Sequence, residues 1–259
     1  MRVVTWNMAG AFQAPGAEKH ENAWEYLASL EPDIALVQEA MVPDWVGSSY
    51  SVLWRPAHSN CNWGTAVVSR YSILEEIDIR AAGAGLGETF EQMQDRIIGA
   101  RLDLEGSPLL AVSVHAPSWV VSEEASTPEL VEAVKLQMSK GVWYSDIAFG
   151  AIRLIPESGL PFVVGGDWNT GRLFDQTWRP CGGAEFFERM EGHGFVDCVD
   201  RTHGEEQQTW FRDGDAPYQL DHLFCDGKLA GRLRSCDVDS RPAEALGLSD
   251  HAPIVAEWS

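Results

Sequence analysis

The chain has 259 residues, 45% of them hydrophobic and 22% charged, which is typical of a globular protein with a full core. Its formal net charge of −20 argues against a protein that coats nucleic acid with a broad basic face. The chain has no apolar run long enough to span a membrane and no signal-peptide pattern at residues 1–10, so we expect no transmembrane segment.

Short apolar segments separated by polar turns run through the whole chain. The first helix is predicted at 17–30, where Trp24, Leu27 and Leu30 recur at helical spacing and Pro32 follows. One long helix is predicted at about 127–157, with irregularities near its two glycines. The predicted strands, in chain order, are 2–6, 33–38, 51–54, 64–69, 72–79, 96–104, 109–115, 161–166, 209–212, 219–226, 231–239 and 252–258.

This succession of many strands and few helices favours two packed sheets flanked by helices over a simple βαβ repeat. The segments 81–90 and 122–129 read as surface loops, and neither they nor any other segment resembles a linker. We therefore expect one α/β domain that spans residues 1–259.

Five cysteines stand at positions 61, 181, 198, 225 and 236, without a CxxC pair or a zinc-binding spacing. Reduced thiols in a cytoplasmic protein are the simplest interpretation. The alternative is a secreted chain from which a signal peptide has been removed. A monomer is expected in either case.

Polar side chains repeatedly follow the apolar part of a predicted strand. Two unit charges 4 Å apart repel by about 4 kcal/mol at an effective dielectric constant near 20, so carboxylates gathered at one edge need raised pKa values or a cation. Carboxylate and amide oxygens suit Mg²⁺, and histidines beside them could move protons near pH 7. The residues in question are Asn7, Glu39, His115, Asp167, Asn169, Asp221, Asp250 and His251.

These residues lie in motifs that resemble, in the same order, those of the endonuclease/exonuclease/phosphatase superfamily. The resemblance covers nearly the whole chain and implies a four-layer α/β sandwich, with two mainly antiparallel or mixed sheets flanked by helices and the active site at one sheet edge. The motifs are TWNMAG (5–10), LVQEA (36–40), SVHAPS (113–118), GGDWNTGR (165–172), QLDHLFCDG (219–227) and LSDHAPIVAEW (248–258).

The resemblance also implies roles for the acidic and amide residues. Glu39 would be the main ligand of Mg²⁺, for which Mn²⁺ could substitute, with Asn7 beside it in the metal and phosphate shell. Asp250 would complete the metal shell. Asp167 would position or deprotonate the attacking water, and Asn169 would orient the phosphate.

For the basic residues, the resemblance implies that His251 contacts the phosphate or acts as an acid or base, and that Asp221 holds this histidine. His115 matches the DNase I and phosphatase form of its motif, whereas exonuclease III-like members carry tyrosine there. This difference disfavours a dedicated abasic-site repair enzyme. Arg96 and Arg172 are further candidates for phosphate contact.

Several expectations concern residues near the motifs. Gly165 and Gly166 are expected to let the backbone turn and to allow close approach. His222 is expected on the strand face opposite Asp221, and the other histidines outside the motifs on the surface. Core packing is favoured over substrate contact for the three tryptophans that flank the motifs, Trp6, Trp119 and Trp168.

The sequence thus predicts a metal-dependent hydrolase of phosphoester bonds, with direct attack by water. A nuclease-like phosphodiesterase acting on nucleic acid or a nucleotide is favoured, and single strands or short ends suit the net charge. The alternatives are a phosphomonoesterase for a small or lipid-derived phosphate, as in inositol phosphatases or sphingomyelinases, and a member that only binds a partner.

Overall fold

The computed structural model describes residues 1–14, 16–58, 60–79, 86–91, 93–177, 182–212 and 216–259. Within these ranges the strands, in chain order, are β1 (Arg2–Asn7), β2 (Ile34–Ala40), β3 (Ser51–Pro56), β4 (Gly64–Ser69), β5 (Ser72–Glu76), β6 (Ile97–Leu104), β7 (Ser107–His115), β8 (Phe162–Asp167), β9 (Val196–Asp197), β10 (Asp221–Cys225), β11 (Leu233–Val238) and β12 (Ile254–Trp258).

The α-helices are mostly short and lie between the strands. They are α1 (Glu18–Ser29), α2 (Val46–Ser49), α3 (Gly87–Glu91), α4 (Pro128–Val134), α5 (Tyr144–Ile152), α6 (Phe174–Thr177), α7 (Gly183–Gly192), α8 (Cys198–His203), α9 (Gly227–Ala230) and α10 (Arg241–Glu244). No helix in the described ranges is both long enough and apolar enough to cross a membrane.

The strands form two mixed sheets of six strands each. The first has the order β11-β12-β1-β2-β4-β3, and the second has the order β5-β6-β7-β8-β10-β9. Apolar side chains such as Leu36 of the first sheet and Ile98 of the second meet in the core between the sheets. Trp24 of α1 packs on the outer face of the first sheet, and Phe186 of α7 packs on that of the second. The predicted α/β sandwich of two helix-flanked sheets is confirmed.

Strand directions bring the polar strand ends to one edge of both sheets. In the first sheet β1 and β2 are parallel, and β12 is antiparallel to β1. In the second sheet β7 and β8 are parallel and pair His115 with Asp167, while β10 is antiparallel and pairs Asp221 with Asp167. The carboxyl ends of the parallel strands therefore meet the amino ends of β10 and β12.

The two glycines of β8 lie within the strand and not in a turn. A Cβ atom on Gly165 would lie 3.0 Å from side-chain atoms of Thr5 and Leu36 in the facing sheet. A Cβ atom on Gly166 would lie 1.8 Å from the carbonyl oxygen of Val114 in β7. The close approach predicted at these glycines is made by neighbouring strands of the protein. The predicted backbone turn is absent from this strand.

Three sequence expectations about local structure are wrong. The predicted helix 127–157 ends at Val134 and resumes at Tyr144, because the chain between them leaves helical geometry and pairs Val142 with Val121. The segment 209–212 contributes only an isolated bridge between Trp210 and His251. His20, expected on the surface, is buried beneath Met41.

Candidate active site

The edge shared by the two sheets opens into a cavity of about 1160 Å³. Both sheets contribute polar side chains to it, and the loop before β12 adds two more. Asp221 does not line the cavity itself but contacts His251, which does. The predicted site residues that line the cavity are Asn7, Glu39, Arg96, His115, Asp167, Asn169, Asp250 and His251.

An irregularity in β2 directs Glu39 into the cavity. The pairing of β2 with β4 shifts register between Val37 and Ala40, and Glu39 adopts a φ of 49°, in the left-handed region. Non-glycine residues rarely adopt this conformation, and bulges of this kind re-aim a side chain next to a functional site. Burial raises the pKa of Glu39, whereas His251 and the N–H of Ala11 favour its charged form.

Asp167 lies at the end of β8, where both of its oxygens accept hydrogen bonds. Oδ2 accepts from Nδ2 of Asn7 at 2.9 Å, and Oδ1 accepts from the backbone N–H of Asn169 at 3.0 Å. Burial and the nearby Asp221 raise the pKa of Asp167 to about 7, against the opposing effects of His251 and the two hydrogen bonds. The carboxyl group can thus gain or lose a proton near neutral pH.

His251 links the two acidic residues of the second sheet. Its Nδ1 donates to Oδ2 of Asp221 at 2.7 Å, and its Nε2 lies 3.9 Å from Oδ2 of Asp167. Burial alone lowers the pKa of His251, but these carboxylates outweigh burial and raise the pKa to about 10. The ring is therefore an imidazolium at neutral pH, with Nε2–H facing the cavity residues.

His115 has the opposite electrostatic setting. Its Nδ1 lies 3.2 Å from a guanidinium nitrogen of Arg96, and its Nε2 lies 3.6 Å from Oε1 of Glu39. Burial, with the positive charges of Arg96 and His251, holds the pKa of His115 well below its usual range. His115 is therefore neutral, and its Nδ1 accepts the Arg96 hydrogen bond.

Asn169 also occupies a rare backbone conformation, with a φ of 47°. Its side-chain Nδ2 donates to the carbonyl of Ala116 at 2.9 Å, which joins the ends of β7 and β8. Asn is one of the few residues that tolerate this region of φ. The amide thereby holds the loop after β8 in place at the cavity.

Asp250 and Arg172 lie outside this hydrogen-bonded group. Asp250 is an exposed residue at the cavity rim, where Nε1 of Trp210 donates to its Oδ2 at 3.3 Å. The Arg172 guanidinium lies over the ring of Phe187, with its carbon 4.1 Å from the ring centroid, and does not line the cavity. Arg172 points away because the loop after β8 turns toward α7.

Some residues that build the site stand outside the motifs considered. The Trp63 ring lies 5.9 Å from the His115 ring, and the Arg96 guanidinium carbon lies 5.1 Å from the Trp63 centroid. Oγ1 of Thr209 accepts the backbone N–H of Asp221 at 3.0 Å. Gln38 lies inside the LVQEA motif, where the resemblance implies no role for it, yet its Nε2 donates to Oγ of Ser113 at 2.9 Å across the two sheets.

The acidic residues of the cavity fit a divalent cation. Among the described residues, Asp167, Asp221 and His251 bring three ligand atoms within 4.8 Å of one another. Protonated His251 has no lone pair for a metal and is bonded to Asp221, so Glu39 is the better candidate for the main ligand. Within the part of the chain that the structure describes, Oδ1 of Asp221 is buried with no hydrogen-bond partner, and burial disfavours the charged form of Glu39. Buried carboxylates that lack full compensation by the protein, beside an amide oxygen donor at Asn7, match the chemistry of an oxygen-ligand metal site.

Comparison with known proteins shows the family and the fold of the chain. Residues 4–251 match the model of the Endonuclease/Exonuclease/phosphatase family. No curated protein matches the chain. The fold is similar to that of an AP endonuclease from Archaeoglobus fulgidus, with a TM-score of 0.70, 18% identity, and coverage of 100% of this chain and 99% of that one.

A second similar structure is the 3' phosphatase NExo from Neisseria bound to product DNA hairpin, with a TM-score of 0.69, 21% identity, and coverage of 100% and 99%. The catalytic domain of APE2 from Xenopus laevis has a TM-score of 0.69 and 17% identity, with coverage of 100% and 91%. At these identities the structures show a shared fold. The family match over nearly the whole sequence decides the assignment: this chain belongs to the endonuclease/exonuclease/phosphatase family and is a hydrolase of phosphoester bonds.

Proposed function

We propose that the protein is a Mg²⁺-dependent phosphodiesterase that cleaves a nucleic acid or a nucleotide by in-line attack of water, and that Mn²⁺ can replace Mg²⁺. The observation that carries the proposal is the arrangement of Asp167. This carboxyl group is held by Asn7 and Asn169, has a pKa near neutrality, and lies 3.9 Å from the His251 imidazolium.

The proposed metal site uses Glu39 as its main ligand, with Asn7 and Asp250. When bound, the cation would neutralise charge on the phosphate and favour ionisation of water. Its positive charge would also remove the cost of burying the Glu39 carboxylate. This last effect supports the assignment, because the hydrogen bonds from Ala11 and Asn7 and the charge of His251 do not offset the burial of that carboxylate.

The proton transfers follow from the side chains themselves. Asp167 accepts a proton from the attacking water, while Asn7 and Asn169 fix the direction of its oxygens. His251 donates from Nε2 to the negative charge that develops on the phosphate or on the leaving oxygen, since its Nδ1 proton is engaged by Asp221. His115 stays neutral and positions the phosphate together with Arg96.

Further assignments concern the location, the substrate and the active form. A cytoplasmic location is supported by the free thiols of Cys61, Cys198, Cys225 and Cys236, while Cys181 lies outside the described residues. The Neisseria protein with a similar fold was solved with a DNA hairpin product, which supports a nucleic-acid substrate for this chain. We propose that the active form is a monomer. Because Arg172 does not line the cavity, we also propose that it makes no contact with the phosphate.

A second candidate function is hydrolysis of a small or lipid-derived phosphomonoester. It is favoured by one observation, namely the many apolar residues among those that line the cavity, such as Val121, Val131 and Leu136. A hydrophobic leaving group would find contact there. The catalytic residues would serve a monoester equally well, so the substrate decides between the two candidates.

One substrate panel tests the proposal. Protein stripped with EDTA and then given Mg²⁺, Mn²⁺ or no metal is incubated with methyl p-nitrophenyl phosphate, p-nitrophenyl phosphate, single-stranded and duplex DNA, RNA and a phospholipid. We expect metal-dependent cleavage of the diester and of nucleic acid. Full activity without metal would contradict the metal site, and phosphate release from only the monoester or the lipid would favour the second candidate.

A further inference from the structure

The cavity extends well beyond the catalytic side chains. Its far part lies between two segments, Pro117–Val121, which follows β7, and 131–143, which comprises the end of α4 and the chain that leads to α5. A volume of about 1160 Å³ is that of a site for a large ligand and far exceeds what one phosphate group requires. The first segment starts two residues after His115, so whatever binds there adjoins the reacting phosphate.

Trp119 forms an ordered aromatic platform at this part of the cavity. The residue is 56% exposed although it lines the cavity, and its ring centroid lies 6.2 Å from that of Tyr144 in an edge-to-face arrangement. The backbone N–H of Val121 donates to the carbonyl of Val142 at 2.8 Å. The two segments are thus paired, and the expectation that Trp119 packs in the core is wrong for this residue.

A second tryptophan faces the same cavity from the other segment. Nε1 of Trp143 donates to Oγ of Ser139 at 3.1 Å, and its backbone N–H donates to Oδ2 of Asp146 at 2.8 Å. These bonds fix the indole without closing the cavity. Two tryptophans, each held in place, thus contribute to the two walls of one cavity.

Basic side chains also line the cavity, alongside acidic residues such as Glu123 and Asp146. The chain has four lysines and a net charge of −20, and two of the four, Lys135 and Lys140, line this cavity together with Arg96 and Arg212. Positive charges combined with aromatic rings suit single-stranded nucleic acid, because its phosphates contact the cations and its bases stack on the rings. An acyl chain would gain nothing from the two lysines.

We propose that this part of the cavity is a stacking subsite for single-stranded nucleic acid, in which the base next to the scissile phosphate stacks on Trp119. The proposal deepens the proposed nuclease function and rests on it, because a phosphate of the strand is scissile only if the protein is a nuclease. Duplex ends would have to fray before a base could reach the ring. Lys140 and Lys135 contact phosphates farther along the same strand.

Binding is measured apart from cleavage to test this. A fluorescein-labelled oligothymidylate is titrated with the protein in EDTA, and its anisotropy gives the dissociation constant. Trp119→Ala should weaken binding by about 5- to 150-fold, the range for loss of one stacked base, while Trp119→Phe should keep most of the affinity. Trp45→Ala is the matched control, since Trp45 is a partly exposed tryptophan outside the cavity.

A scan of single abasic positions along the oligonucleotide locates the stacked base. Removal of the base at one position should weaken binding to the wild-type protein. In Trp119→Ala, removal of that same base should have no further effect, while the other positions behave as in the wild type. Lys140→Gln should reduce the slope of log K against log salt by about 0.7, the value for one phosphate contact on a single strand. A flat abasic scan, or equal affinity of Trp119→Ala and wild type, overturns the subsite.

The remaining outcomes separate this proposal from the one on which it rests. If Trp119→Ala abolishes binding to phosphatidylcholine vesicles and leaves oligonucleotide binding unchanged, the subsite belongs to a lipid and the proposal is overturned. If the wild-type protein cleaves no diester with Mg²⁺, the nuclease function fails. The abasic scan in EDTA still decides whether Trp119 stacks on a base.

Discussion

Nδ1 of His251 lies 2.7 Å from Oδ2 of Asp221, and this pair is buried at the point where the two sheets meet. The carboxylate keeps the imidazole protonated and turns Nε2 toward the cavity. Asp221 is itself fixed, because Oγ1 of Thr209 accepts its backbone N–H. The acid–base properties of the site therefore depend on a residue that does not line the cavity.

Asp221→Asn should lower the pKa of His251 from about 10 toward the ordinary value of histidine, because it removes the nearest negative charge. NMR titration of the ring in the metal-free protein measures this change. Activity near pH 8 should fall by about 10²- to 10⁴-fold, as expected for loss of a protonated acid. Asp237→Asn, at an exposed residue of β11, is the control and should change neither quantity. An unaltered His251 titration would contradict the assigned pair.

Asp167→Asn should remove most of the activity, by about 10²- to 10⁴-fold, because the amide cannot accept a proton from water. In the wild type, kcat/KM should rise with pH as Asp167 ionises. The pKa near 7 describes the metal-free protein, and a bound cation shifts this rise to lower pH by favouring the carboxylate. The residual activity of the variant should lack this rise, and a pH profile from 5 to 9 measures it.

Direct attack by water has a separate test. A phosphorylated enzyme trapped during turnover would refute it.

Glu39→Gln should weaken Mg²⁺ binding, measured by calorimetry, without unfolding the protein. Burial raises the pKa of Glu39, so its charged form costs free energy in the metal-free fold, and the amide removes that cost. The melting temperature in EDTA should therefore be equal to or above that of the wild type. Glu188→Gln, on the exposed side of α7, is the matched control for the loss of one charge. A Mg²⁺ affinity equal to that of the wild type would place the metal elsewhere.

His20 should make stability depend on pH. Burial lowers the pKa of His20, and its Nε2 lies 3.1 Å from the N–H donors of Trp24 and Met41, so the neutral ring suits the fold. As pH falls below about 6.5, the unfolded chain gains a proton that folded His20 resists, and stability is lost by at most about 1.4 kcal/mol per pH unit. Urea unfolding at pH 5 and 7 should show a smaller difference for His20→Gln than for the wild type.

The sequence predicts the shared edge well because polar residues at strand ends report on strand direction. Asn7 and Glu39 end parallel strands, and Asp221 begins an antiparallel one, so a sandwich brings them together without further information. The histidine that follows, His222, binds Asp197 and does not line the cavity, as alternation along a strand requires. Local periodicity and chain order are sufficient for these features.

Other features depend on contacts between distant segments, which no local pattern encodes. The apolar residues of 127–157 suit a helix equally well until Val142 pairs with Val121. A tryptophan such as Trp119 is typically buried in a core, but here it lines a cavity and remains exposed. Arg172 belongs to a motif, yet its guanidinium lies over the ring of Phe187 in α7 and not at the cavity.

Gly165 links the spacing of the two sheets to the activity of the enzyme. The catalytic groups come from both sheets, and the hydrogen bond from Asn7 to Asp167 crosses the boundary between them. The bare backbone of Gly165 sets how near the sheets come, since any side chain would press on Thr5 and Leu36. The geometry of the reaction centre therefore depends on the distance between the two sheets. We expect a substitution that increases this distance, even far from the cavity, to lower activity while both sheets remain folded.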